Sequence, residues 1–313
     1  MNKYMLLFLC VLISSFGFSQ ELVSENFALK NGNIDIPGTL THQKTNDKIP
    51  LVIFVHGSGN VDRNGNQPGT SVQANYIKSL ADSLNLQGIA FYRYDKRTAT
   101  PSNLQKLKGI TLSDFVDDVK VAIRVFESDD RFNGIHLIGH SQGSLVAMLA
   151  ATESVKSYTS IAGPSTSIDQ TIIKQLAAQN EDMGKMAASY FEELKKTDTI
   201  LVVNPFLMSL FAPQNQKFMA NWMSFNPSEE IQKLKIPVLI LQGDADLQVK
   251  VVDAENLKKA KPGASLHIIP KMNHVLKRVA SLEENNKSYA DKNFPISNGL
   301  VTYLTDFIFS NIR

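Results

Sequence analysis

Cysteine is nearly missing from this chain. Cys10 is the single one in 313 residues, and it falls inside an apolar N-terminal stretch. A chain processed beyond it holds no thiol, which excludes a cysteine nucleophile, a disulfide framework and cysteine-ligated zinc. An excess of charge of one sign is missing too. Lys and Arg total 32 against 30 Asp and Glu, a net charge of +2. No basic block and no alternation of basic with aromatic residues occurs, so nucleic acid and anionic membrane surfaces are excluded as partner classes. Tryptophan occurs once, at Trp222. There is no internal repeat and no low-complexity tract.

The N-terminus carries an address. Lys3 precedes an apolar stretch from Tyr4 to Phe18, and Gly17-Phe18-Ser19 offers small-x-small for cleavage after Ser19. Residues 1–19 read as a secretory signal peptide, which implies a secreted or periplasmic protein. The stretch is shorter than the roughly 20 apolar residues a membrane span requires, so no stable membrane anchor is expected after cleavage. Leu9 precedes Cys10 where a lipoprotein signal needs a small residue.

The remainder, 43% hydrophobic overall, suits one large domain or one domain with an insertion. Residues 23–42 alternate loosely around Gly-Asn and Pro-Gly turns and predict two antiparallel strands at a sheet edge. Leu51 to Val55 is a continuous apolar run, as in a strand buried on both faces. A polar loop from Asn60 to Gly69, a helix over 72–84 and a strand from Ile89 to Tyr94 follow. Phe115, Val119, Ile123 and Phe126 set a helix over 112–126, capped by Thr111 or Ser113. Strands are expected at 135–138, 157–162, 237–241 and 266–269, with helices over 251–260 and 296–310. This rhythm predicts an α/β fold, a mostly parallel sheet with helices on both faces. It breaks between about 164 and 230, where a helical, Met- and Phe-rich segment reads as an inserted lid over the sheet.

Ile135 to Ala150 organises the chemistry. A short apolar run ends in Gly139-His140-Ser141-Gln142-Gly143, and a helical pattern starts at once. This is G-x-S-x-G between strand and helix, where a sharp turn lifts the serine clear of the sheet. A serine hydroxyl needs a neighbouring base, the imidazole needs a carboxylate on its other nitrogen, and the oxyanion needs fixed N–H donors. Polar residues follow three further strands: His56-Gly57-Ser58, Gly243-Asp244-Ala245-Asp246 and Met272-Asn273-His274. In open α/β sheets such strand ends meet at one site. Ser141 is the expected nucleophile and His274 the base, with either Asp244 or Asp246 as the acid. The backbone N–H groups of Ser58 and Gln142 are the expected oxyanion donors. His56 reads as a loop-shaping hydrogen-bonder, His140 as packing or lining the site, and His267 as structural. Asp95-Lys96-Arg97 reads as a salt-bridged strand end, with a substrate-binding cluster as the alternative.

At these residues the chain resembles the α/β-hydrolases, over nearly all of its length after the leader. Within them it is similar to the secreted or periplasmic EstD-type carboxylesterases. The resemblance rests on His56-Gly57-Ser58-Gly59 with Asp62-Arg63-Asn64-Gly65, Arg93-Tyr94-Asp95-Lys96-Arg97, Ile161-Ala162-Gly163-Pro164, Leu241 to Val249, and Met272-Asn273-His274. In that pattern the acid is the third residue after the glycine, with Val three further on, which selects Asp246 and matches Val249. Gln142 departs from the hydrophobic residue many relatives carry there, and the insertion is the least matched part.

The expected function is therefore hydrolysis of small-molecule carboxylic esters of short to medium acyl length, through an acyl-enzyme on Ser141, with no cofactor and no metal. A peptidase, aminopeptidase-like, or a thioester hydrolase using the same triad is the alternative. An aminopeptidase would need carboxylates for the substrate's amine. Glu181, Asp182, Glu192 and Glu193 of the insertion read instead as a solvated helix face.

Overall fold

The computed structural model describes residues 21–312. The expected leader, its cleavage point after Ser19 and Cys10 lie outside them. No helix among the described residues is long and apolar enough to cross a membrane.

The chain opens with four strands, β1 (Leu22–Asn26), β2 (Leu29–Asn31), β3 (Ile34–Ile36) and β4 (Gly38–Gln43). The alternation predicts only two here. β1 and β4 form the antiparallel sheet edge, while β2 and β3 make a separate hairpin across Gly32, whose φ of 60° favours glycine. There follow β5 (Ile49–Val55), α1 (Tyr76–Asn85), β6 (Ala90–Tyr94), α2 (Leu112–Glu127), β7 (Phe132–His140), α3 (Gln142–Ala150) and β8 (Val155–Ile161). Five helices come next: α4 (Ile168–Gln179), α5 (Glu181–Thr197), α6 (Met208–Phe211), α7 (Pro213–Met223) and α8 (Pro227–Lys233). The sheet then resumes with β9 (Val238–Gly243), α9 (Val251–Ala260), β10 (Ser265–Ile269), α10 (Leu282–Ser288) and α11 (Asn298–Ser310).

Eight strands form one sheet in the order β1-β4-β6-β5-β7-β8-β9-β10. From β6 to β10 all pairs are parallel, and β4 joins β6 antiparallel. Leu51 to Val55 is buried along its whole length, as a strand covered on both faces must be. One face packs against α2, α3, α8 and α9 through side chains such as Leu51, Val119, Leu145, Ile231 and Leu257. The other packs against α1 and α11 through Val52, Phe54, Leu80, Leu300 and Leu304. Thr111 supplies the cap of α2: its side chain and that of Asp114 form a capping box.

The insertion has a core of its own. Ile168, Ile172, Ala187, Phe191, Leu194, Phe211 and Met219 pack together, with Phe191 and Phe211 edge to face at 4.9 Å. Its last helix, α8, packs instead on the sheet layer through Ile231.

Candidate active site

The ends of β5, β7, β9 and β10 meet above α3. At the end of β7 the chain turns at Ser141, with φ 54° and ψ −122°. A non-glycine residue resists this positive φ, so the surroundings must hold it. Two glycines let them do so. A Cβ at Gly139 would run into the Gly143 carbonyl and the Ser144 backbone, and one at Gly143 into the carbonyls of Val55 and His56. The Ser141 N–H donates to the Ile161 carbonyl at 2.9 Å, pinning the turn to β8.

His274 and its partner Asp246 come from the two loops beyond. His274 Nδ1 donates to Asp246 Oδ2 at 2.8 Å, and both side chains are buried. Asp246 Oδ2 also accepts from Gln242 Nε2 at 3.2 Å, and Oδ1 accepts from the N–H groups of Gln248 at 2.7 Å and Val249 at 3.0 Å. Burial raises the Asp246 pKa, but the charge of and hydrogen bond from His274, with the two N–H bonds, outweigh it and leave the pKa lowered. The carboxylate therefore stays ionised. Asp244 is exposed and accepts from the Lys271 N–H at 2.6 Å, away from His274. Of the two acids left open by the local pattern, the structure brings Asp246 to the histidine.

His140 braces His274. Its Nε2 donates to the His274 carbonyl at 2.8 Å, and the two rings lie 4.8 Å apart. Burial above all holds its pKa down to about 3, so the ring is neutral. His56, likewise held to about 3 by burial and by the Lys96 charge, donates through Nε2 to the Tyr94 carbonyl. It ties the end of β5 to the end of β6. His267 stacks on Tyr303 at 4.0 Å, at the sheet edge.

Gln142 opens α3, where the N–H groups of the first turn have no intrahelical acceptor. Neither its N–H nor that of Ser58 is spent on a backbone carbonyl among the described residues. Both residues line a cavity of about 350 Å³ together with Ser141 and His274. The insertion supplies Ile168, Ile172, Leu210, Met219 and Trp222 to its walls. A second cavity of about 700 Å³ adjoins it and shares Ser58, Gln142, Leu210, Met219 and Trp222. Among the described residues no cluster of His, Cys, Asp and Glu is arranged to hold a metal ion.

Asp95-Lys96-Arg97 divides. Asp95 pairs with Arg63 at 2.6 Å, and Arg97 with Asp118 at 2.6 Å and Asp114 at 2.9 Å, as a salt-bridged strand end should. Lys96 turns inward. Its buried Nζ donates to the Gly57 carbonyl at 2.8 Å and to Gln142 Oε1 at 2.7 Å, and sits 4.4 Å from the centre of the Phe115 ring.

Sequence reasoning misses α10. Asn273, next to the base, donates to Asn285 Oδ1 at 3.1 Å and to Ser288 Oγ at 2.7 Å. Asn285 in turn donates to the Ala245 carbonyl at 2.7 Å, next to the acid. One short helix thus braces both loops. Its signal is in the chain: Ser281 accepts from the Glu284 N–H while Glu284 accepts from the Ala280 N–H, an S-x-x-E start.

An open, mostly parallel sheet, a strained serine between strand and helix, and a buried Asp–His pair at the later strand ends define an α/β-hydrolase. Comparison with known proteins places it more closely. The family described as serine aminopeptidase, S33, matches residues 68–228, just over half of the chain, and the chain belongs to that family. Esterase EstD of Thermotoga maritima is 24% identical over 286 residues, covering 86% of this chain and 66% of the relative. The chain thus spans about two thirds of that relative's length. Among solved structures, Est1E from Butyrivibrio proteoclasticus superposes with a TM-score of 0.58 at 20% identity, covering 92% of this chain and 98% of the other. The proline iminopeptidase of Mycobacterium smegmatis gives 0.59 at 14% identity, covering 92% and 99%. These two likenesses speak for the fold.

Proposed function

We propose that this protein is a serine carboxylesterase acting on esters of short to medium acyl chains. Ser141 attacks the ester carbonyl, and His274 takes its proton and passes it to the leaving alcohol. Asp246 fixes the tautomer and stabilises the imidazolium. The N–H groups of Ser58 and Gln142 hold the oxyanion. Water, activated by His274, then releases the acyl group. The observation that carries this reading is the buried 2.8 Å Asp246–His274 hydrogen bond, opening on the same cavity as Ser141. The likeness to Esterase EstD supports the choice of esters. Export through the apolar leader is part of the same proposal.

The family's description favours a second reading, an aminopeptidase. No carboxylate lines either cavity among the described residues, so a substrate's free amine would find no ionic partner there. Glu181, Asp182 and Glu192 are exposed on α5. Hydrolysis of p-nitrophenyl acetate through octanoate, beside amino-acid p-nitroanilides, separates the two. Esters should turn over and anilides should not. In Ser141→Ala, kcat on esters should fall by about 10⁶. Survival of the rate in that variant would refute the mechanism.

A further inference from the structure

Lys96 is a buried ammonium with no carboxylate partner among the described residues, 5% exposed. Its neighbours in sequence and space are committed elsewhere: Asp95 to Arg63, and Asp118 to Arg97. An unpaired buried charge is costly, and burial alone pulls the Lys96 pKa down to about 7. The amino group bridges the Gly57 carbonyl and the Gln142 side chain at the wall of the second cavity.

The geometry is specific. The Gly57 carbonyl, which accepts from Lys96 at 2.8 Å, belongs to the same peptide unit as the Ser58 N–H. In a trans peptide the C=O and N–H point to opposite sides, and no peptide among the described residues is cis. Holding the carbonyl on the Lys96 side therefore aims the Ser58 N–H the other way. If that peptide rotated, a carbonyl would face the cavity in place of a donor. The second bond, 2.7 Å to Gln142 Oε1, fixes the side chain of the other donor residue and keeps it against Lys96. The Phe115 ring covers the ammonium from one side.

We propose that Lys96 is a positioning residue of the oxyanion hole: its amino group grips the Gly57 carbonyl and so aims the Ser58 N–H, while its bond to the Gln142 side chain holds the two donor-bearing segments together. This deepens the serine-esterase reading and rests on it.

The test is Lys96→Met, nearly isosteric and without donors. Loss of one aligned donor typically costs about 10²–10³ in kcat. We expect kcat on p-nitrophenyl butyrate to fall about 100-fold with KM within about threefold of wild type. The Ki of an alkylboronic acid, which forms a tetrahedral anion on Ser141, should rise by a similar factor, and fluorophosphonate labelling should slow alike. A merely structural lysine would move KM and Ki together or leave kcat within about threefold, and either result overturns the proposal. Should Lys96→Met not fold, Lys96→Gln, which reaches one acceptor at most, carries the same readouts and should fall between wild type and total loss; wild-type kcat and Ki there would overturn it. Ser141→Ala distinguishes the failures. If it keeps esterase activity, or if the wild type neither hydrolyses esters nor labels, the esterase reading falls and takes the proposal with it. If it is dead while Lys96→Met is fully active, only the role of Lys96 is wrong.

Discussion

Replacing Asp246 by Asn changes one atom and sets two sites in conflict. Each carboxylate oxygen faces two donors: His274 Nδ1 and Gln242 Nε2 on Oδ2, and the Gln248 and Val249 N–H groups on Oδ1. An amide NH₂ has to take one of these places. Turned toward His274, it demands an acceptor at Nδ1 and drives the proton to Nε2, where the base must be free. Turned toward the backbone, it keeps the tautomer but leaves the Gln248 and Val249 N–H groups, the latter buried, without that acceptor and removes the charge that stabilises the imidazolium. The first costs about 10⁴ in kcat, as loss of the correct tautomer does in serine hydrolases generally. The second adds a stability cost of about 1–3 kcal/mol per orphaned donor. The assay is initial-rate hydrolysis of p-nitrophenyl acetate, with guanidinium unfolding alongside. We expect kcat to fall by about 10⁴, KM to change little, and Asp244→Asn to stay within about threefold of wild type. A rate within about tenfold of wild type in Asp246→Asn, or an equal loss in Asp244→Asn, would refute the assignment.

Two further outcomes follow from the same contacts. Gly143→Ala should lower the guanidinium midpoint, since its Cβ meets the Val55 and His56 carbonyls and overpacking typically costs about 1–3 kcal/mol; an unchanged midpoint would show that α3 does not press so closely on β5. Acid should also destabilise the protein well above the carboxylate range. Burial holds His56 and His140 to about 3 and His136 to about 4, below the unfolded value of 6.5. Between those values the unfolded chain binds more protons, so stability is full above about pH 6.5 and declines as the pH falls, by up to about 1.4 kcal/mol per pH unit per histidine. Urea unfolding at about pH 7, 6 and 5 measures the slope, and a flat profile over that range would contradict it.

Local signals carry most of the site. The elbow, His274, and Ser58 and Gln142, the proposed oxyanion donors, each follow an apolar strand, and strand ends in a parallel sheet converge, so position along the chain predicts position in space. The choice between Asp244 and Asp246 is not local, because both follow β9 and only the path of the loop decides which reaches the imidazole. Lys96 escapes for a related reason. Flanked by Asp95 and Arg97, it shares their composition, and only the fold reveals that it turns toward Gly57 while they turn toward Arg63 and Asp118. The edge strands divide because Gly32 and the Pro37-Gly38 turn break one alternating pattern into pieces too short for periodicity to separate. α10 has few apolar residues and buries polar ones, Asn285 and Ser288, so hydrophobic spacing does not reveal it.

The separate core of the insertion makes the molecule modular. Its buried side chains are packed chiefly with one another, while the elbow and the Asp–His pair are anchored in the sheet. The cavity walls at Ile172 and Leu210 therefore belong to the insertion's own core and not to the sheet layer that holds Ser141. Under the proposed esterase reading, acyl specificity would then lie in one packing unit and the catalytic residues in another.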